Sequence, residues 1–95
     1  MQFILTAYDG TDPGAIDRRM AVREGHFGNV RKIKENNHFI WGGAILDDNG
    51  KMVGSTVIYE YPDRKSLDKM LETEPYVTGG VWENIKIHPF KLADV

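Results

Sequence analysis

The order of strand, turn and helix signals is what most constrains this chain. Gln2–Tyr8 is rich in β-branched and aromatic residues and ends at the turn cluster Asp9-Gly10-Thr11-Asp12-Pro13-Gly14, the pattern of a first strand. Asp12 before Pro13 offers an N-cap and a first helical position. A long helical segment then runs to Asn36-Asn37, where either asparagine can take the left-handed stop. Phe39–Leu46 and Met52–Tyr61 flank Asp47-Asp48-Asn49-Gly50, and an Asn-Gly pair favours a hairpin turn. Pro62-Asp63 opens a second helix carrying Leu67, Met70 and Leu71 at i, i+3, i+4 spacing, which should stop before Pro75. Asn84–Leu92 gives a last strand.

The order β-α-β-β-α-β specifies an α+β, ferredoxin-like subunit, an antiparallel sheet with two helices on one face. Residues 1–95 read as one domain, without repeat, low-complexity tract or linker. So short a chain buries only about 60–65 % of its unfolded surface. A sheet covered on one side should alternate apolar and polar residues, and these strands do not. Phe3, Leu5 and Ala7 oppose Ile4, Thr6 and Tyr8; Val53, Val57, Tyr59 and Tyr61 oppose Met52, Thr56 and Ile58. Two helices cannot cover both faces, so the second face is expected to meet the same face of another copy in a homodimer.

Charge and composition exclude several functions. Twelve basic minus fourteen acidic residues leave −2, too balanced for electrostatic binding of nucleic acid or membrane. With no cysteine there is no disulfide, thiolate nucleophile or iron–sulfur centre. No apolar run approaches the roughly 18 residues of a membrane span and no signal peptide is evident, which points to a cytoplasmic protein. The three histidines are far apart without metal-ligand spacing, so no metal or other cofactor is expected.

The first helix carries the chemistry. At about 100° per residue, Ile16, Met20, Phe27, Val30, Ile33 and Val22 define an apolar arc of about 160°, and Arg19, Arg23 and His26 fall inside it. Basic groups on a core-facing stripe are costly unless paired or lining a cavity. Gly25 and Gly28 weaken this helix, and a break near Glu24 would shift the phase.

These residues resemble the YciI-like family over nearly the whole chain. The matching stretches are Arg19-x3-Arg23-x2-His26, Gly54-Ser55-Thr56-Val57-Ile58 with Glu60, Pro75-Tyr76-Val77 with Gly80-Val81 and Glu83, and Ile87-x-Pro89-Phe90-Lys91. The resemblance implies a subunit that dimerises through its sheet into an α+β barrel, with a His–Asp pair in a cleft between helix and sheet. The histidine corresponds to His26, and Glu74 holds the position of the acid. Asp before Pro could be purely a helix cap; Glu, one methylene longer, is the poorer cap, so a retained carboxylate leans towards a charge role. Thr73 could partly supply the cap.

Two functions follow as expectations. The first is a cofactor-independent enzyme (a lyase, isomerase or hydrolase) in which Glu74 orients His26 for proton transfer on a small anionic or oxygenated compound. Arg19 and Arg23 would hold its oxygen, with Ser55 and Tyr76 as further contacts. The second is a non-catalytic binding or accessory dimerisation module using the same cationic cleft. Trp41 and Trp82 are expected as core or dimer-interface anchors.

Overall fold

A computed structural model describes residues 1–95. The elements are β1 (Gln2–Asp9), α1 (Ala15–Glu35), β2 (Phe39–Leu46), β3 (Met52–Glu60), α2 (Arg64–Leu71), a one-turn α3 (Pro75–Thr78) and β4 (Trp82–Phe90). They form a four-stranded antiparallel sheet in the order β2-β3-β1-β4, the α+β arrangement expected from the element order. No helix is long and apolar enough to cross a membrane.

The turn chemistry is mostly where the residue types place it. Asn37 takes φ 64° and ends α1, and Gly50 takes φ 83° between β2 and β3. Asp63 caps α2 by accepting from Ser66 N at 2.8 Å. Asp12 differs. Helix α1 starts at Ala15 with Gly14 at the N-cap and no side-chain cap. Asp12 instead accepts from Gly14 N at 3.2 Å and from both Nη nitrogens of Arg18, closing the preceding turn. α1 is continuous through Glu24 and Gly25, and β4 begins two residues earlier than the sequence suggests.

These capping contacts give a pH prediction. The Arg18 hydrogen bond holds Asp12 down at about 2, and the Ser66 amide holds Asp63 below its ordinary value. A carboxyl depressed in the native state stabilises it above the unfolded pKa, near 3.8, and that contribution is lost as pH falls through the folded value. Between about pH 4 and pH 2 the melting temperature of the native protein should therefore converge on that of Asp12→Asn. Curves that stay parallel through this window would contradict it.

Residues directly opposite in an antiparallel ladder share a face. The helix side carries Phe3, Leu5, Val57, Tyr59, Leu67 and Tyr76 in one buried cluster. The other side carries Ile4 opposite Ile58, Ile58 opposite Trp41, and Tyr8 opposite Gly54. Gly54 is required there: a Cβ would sit 2.4 Å from the carbonyl oxygen of Ala7. Trp41 is 58 % exposed and Tyr8 50 % exposed on this outer face, so it is the two-sided sheet read from the strands. Register shifts at both ends of the β2–β3 ladder alter one assignment. Met52 comes opposite Leu46 and lines the helix-side cleft rather than the outer face.

Candidate functional site

The residues of α1 that become buried are Ala15, Arg19, His26 and Ile33. The polar streak therefore lies in the middle of the buried stripe, whereas Met20, read as core, is 49 % exposed. The reason lies beneath it. The sheet and α3 present Asp9, Ser55 and Glu74, all buried, and these satisfy the helix's polar groups.

Glu74 is completely buried at the N-cap of α3. Its Oε1 lies 2.5 Å from His26 Nδ1 and accepts from Tyr76 N at 3.1 Å, while Oε2 accepts from Asn29 Nδ2 at 2.6 Å. The longer side chain thus serves at once as helix cap and as hydrogen-bond partner of the imidazole, two roles the sequence sets against each other. Thr73 does not supply the cap: its hydroxyl donates to Met70 O at 3.0 Å. Pro75 sits against Gly25 of α1, where even a Cβ would make only ordinary contact, 3.5 Å from its ring. Asn29 Nδ2 and Tyr76 N both donate to Glu74, and an ionised carboxylate can only accept, so its contact with the imidazole calls for a proton on His26 Nδ1; Nε2 has no protein partner. The imidazole is also stacked on Tyr76, centroids 3.8 Å apart and planes 11° apart, with Trp82 edge-on at 6.1 Å. Burial pushes the Tyr76 phenol up, keeping it neutral beside the imidazole.

Arg19, 3 % exposed, is held from the other side. Its Nη1 donates to both oxygens of Asp9 at 3.1 and 3.0 Å, and Nη2 donates to Ser55 Oγ at 2.9 Å. Its Cζ lies 4.8 Å over the Tyr76 ring, and its Nε is buried without a partner. Arg23 has no carboxylate partner and rests over the Phe27 ring at 4.9 Å. It is therefore the uncompensated cation here; the charge of Arg19 is answered by Asp9.

A cleft of about 170 Å³ opens between α1 and the sheet, lined by Arg19, Arg23, His26, Ser55 and Tyr76 with apolar neighbours such as Phe27 and Phe39. All six sequence-selected residues thus gather in one place, five on the cleft and Glu74 behind His26. Asp9, Asn29 and Trp82 were not selected. Asp9 lay in a turn cluster, and Asn29 shares the helix face of His26 only at i+3. Trp82, expected as a core or dimer-interface anchor, also donates from its Nε1 to Ser55 Oγ at 3.1 Å. His38 and His88 lie elsewhere, His38 bonded to Glu60 O at 2.7 Å and His88 opposite Ile4.

Comparison with known proteins places the chain and its fold. An uncharacterised protein of Haemophilus influenzae is 30 % identical, over 96 % of this chain and 97 % of its own. Protein YciI of Escherichia coli is 27 % identical over the same shares. Among solved structures, 5-chloro-2-hydroxyhydroquinone dehydrochlorinase from Burkholderia phenoliruptrix, in complex with 2,5-dihydroxybenzoquinone, is similar with a TM-score of 0.83 at 21 % identity, covering 98 % of this chain and 96 % of that one. An antibiotic biosynthesis monooxygenase is similar with a TM-score of 0.53 at 20 % identity, covering 98 % of each chain. The sequence profile of the YCII-related domain matches residues 1–91, and the chain belongs to that family.

Proposed function

We propose that this protein is a cofactor-independent enzyme that moves a proton on a small oxygenated ring compound. His26 Nε2 takes the proton from an O–H or C–H of the substrate and can return it to another atom. Glu74 accepts the hydrogen bond from Nδ1–H throughout, without taking the proton, and its charge stabilises the imidazolium. Arg23 stands where negative charge on a substrate oxygen would be stabilised. Arg19, neutralised by Asp9, shapes the wall and holds Ser55. The observation that carries this reading is the buried carboxylate on Nδ1, which frees the other ring nitrogen beside a cleft containing an uncompensated cation.

The cleft's size suits one six-membered ring, since a cavity of about 150 Å³ accommodates benzene. The structurally similar dehydrochlorinase is described with 2,5-dihydroxybenzoquinone, so this quinone is the first binding probe and hydroxylated hydroquinones are the first substrates to assay. Binding with proton exchange or elimination supports the enzyme. Binding without turnover supports the other reading, a non-catalytic module, which is favoured by one observation: the Glu74 carboxylate also caps α3.

The outer sheet face is proposed to pack on a second copy, giving a homodimer. Its support is the exposed Trp41 and Tyr8 with the half-buried Ile4 on the same face, an apolar surface of the kind that soluble domains bury. Sedimentation should give a dimer at micromolar concentration and a monomer for Trp41→Asp. A monomeric native chain would contradict it.

A further inference from the structure

We propose that Ser55 meets the ligand only as a hydrogen-bond donor, so that the cleft takes a compound presenting an acceptor oxygen at this point. The inference rests on the reading of the cleft as a site for a small oxygenated ring compound. Ser55 Oγ receives Arg19 Nη2 at 2.9 Å and Trp82 Nε1 at 3.1 Å. A guanidinium and an indole N–H can only donate, and a hydroxyl has two lone pairs. Both are occupied, so the one hydroxyl proton has to leave towards a third group. No protein acceptor takes it, and the cleft that holds His26 and Arg23 is the one Ser55 borders.

Neither donor is free to withdraw. Arg19 is fixed by its contacts to both oxygens of Asp9, and Trp82 is packed edge-on against Tyr76 with centroids 5.6 Å apart. Asp9 and Trp82 face each other across β1 and β4, so the strand pairing sets both donors. Trp82 is thus a positioning residue: it acts on the ligand through the hydroxyl of Ser55.

The cleft then carries a readable pattern: a donor at Ser55, a cationic donor at Arg23 and, in the neutral imidazole, an acceptor at His26 Nε2. A ring carbonyl, phenolate or enolate oxygen fits beside Ser55 and Arg23, with the transferable proton facing His26. A ring bearing an ammonium or amidinium there would set N–H against the Ser55 O–H and the Arg23 guanidinium and be rejected, because a buried polar group without a partner is costly. The Ser55 proton also favours the tautomer whose oxygen at that position is a carbonyl or an anion.

The test is a calorimetric titration of the native protein, Ser55→Ala and Ser55→Thr with 2,5-dihydroxybenzoquinone, whose hydroxyls are vinylogous acids and ionise to acceptors. Ser55→Thr, which keeps the hydroxyl, should bind within about threefold of the native protein, and Ser55→Ala about tenfold or more weakly, the loss of one hydrogen bond to a charged acceptor. Native binding left unchanged by Ser55→Ala overturns this assignment alone. No binding by the native protein overturns the reading of the cleft and this assignment with it. A second readout needs no ligand and guards against a variant that fails to fold: the Trp82 indole proton resonance should move upfield in Ser55→Cys, whose sulfur is a weaker acceptor. An indole resonance that stays in place shows that Trp82 does not donate to Ser55, and the proposal falls.

Discussion

His26→Ala is expected to lower kcat by about 10²- to 10⁴-fold, the usual contribution of a positioned general acid–base group, with KM within about tenfold. The split follows from the geometry. Arg23 and Ser55, which would hold the ring oxygen, do not depend on the imidazole for their partners. A group that acts chiefly in the transition state leaves its signature in kcat. Glu74→Gln should follow with a smaller loss, because an amide oxygen can still accept from Nδ1 but carries no charge to stabilise the imidazolium. Steady-state kinetics on a substrate found among the hydroxylated hydroquinones checks both. Full turnover by His26→Ala would exclude the mechanism.

Asp9→Ala should destabilise the fold by about 3–5 kcal/mol, the cost of leaving a buried charge without its partner. A domain of this size has about 5–14 kcal/mol in all. Arg19 and Asp9 have side chains only 3 % and 4 % exposed, so bulk solvent is in no position to take over the role of the lost carboxylate. The guanidinium already has a buried Nε with no partner, and without Asp9 it would keep Ser55 Oγ as its one hydrogen-bond acceptor. Urea unfolding measures the difference directly. Replacing both members with apolar residues should recover much of the loss, since a buried ion pair is a poor source of net stability. A cost under about 1 kcal/mol for Asp9→Ala would show that the pair is solvated.

Much of this was legible before any coordinates. The Asn37 stop, the Asn49-Gly50 hairpin and the Asp63 cap depend on local backbone chemistry that the residue types already specify. The Asp12 assignment failed locally for the same kind of reason: Arg18, one helical turn into α1, draws the carboxylate outward. The site was legible in part. A helical wheel shows that Arg19 and His26 share a face but cannot show what lies opposite it. Taking the apolar residues to define the buried face therefore pulled Met20 inward, whereas Arg19 and His26, inside the same arc, are what the fold buries. Asp9 on β1, Ser55 on β3 and Glu74 before α3 reach α1 only through the sheet order, which no local pattern encodes. Trp82 is the clearest case. Its ring reads as core from sequence and is core in the fold, yet its N–H fixes a hydroxyl beside the cleft.

In the proposed mechanism Glu74 holds His26 with the proton on Nδ1 and so leaves Nε2 as the working nitrogen. Long-range ¹H–¹⁵N correlation NMR of the imidazoles, recorded at alkaline pH on the native protein and on Glu74→Leu, reads this tautomer directly. The geometry requires His26 to show a protonated Nδ1 and an unprotonated Nε2, and the preference to weaken when the carboxylate is removed. A native His26 carrying its proton on Nε2 would mean that the free nitrogen is no base, and the proton-transfer account would fail with it.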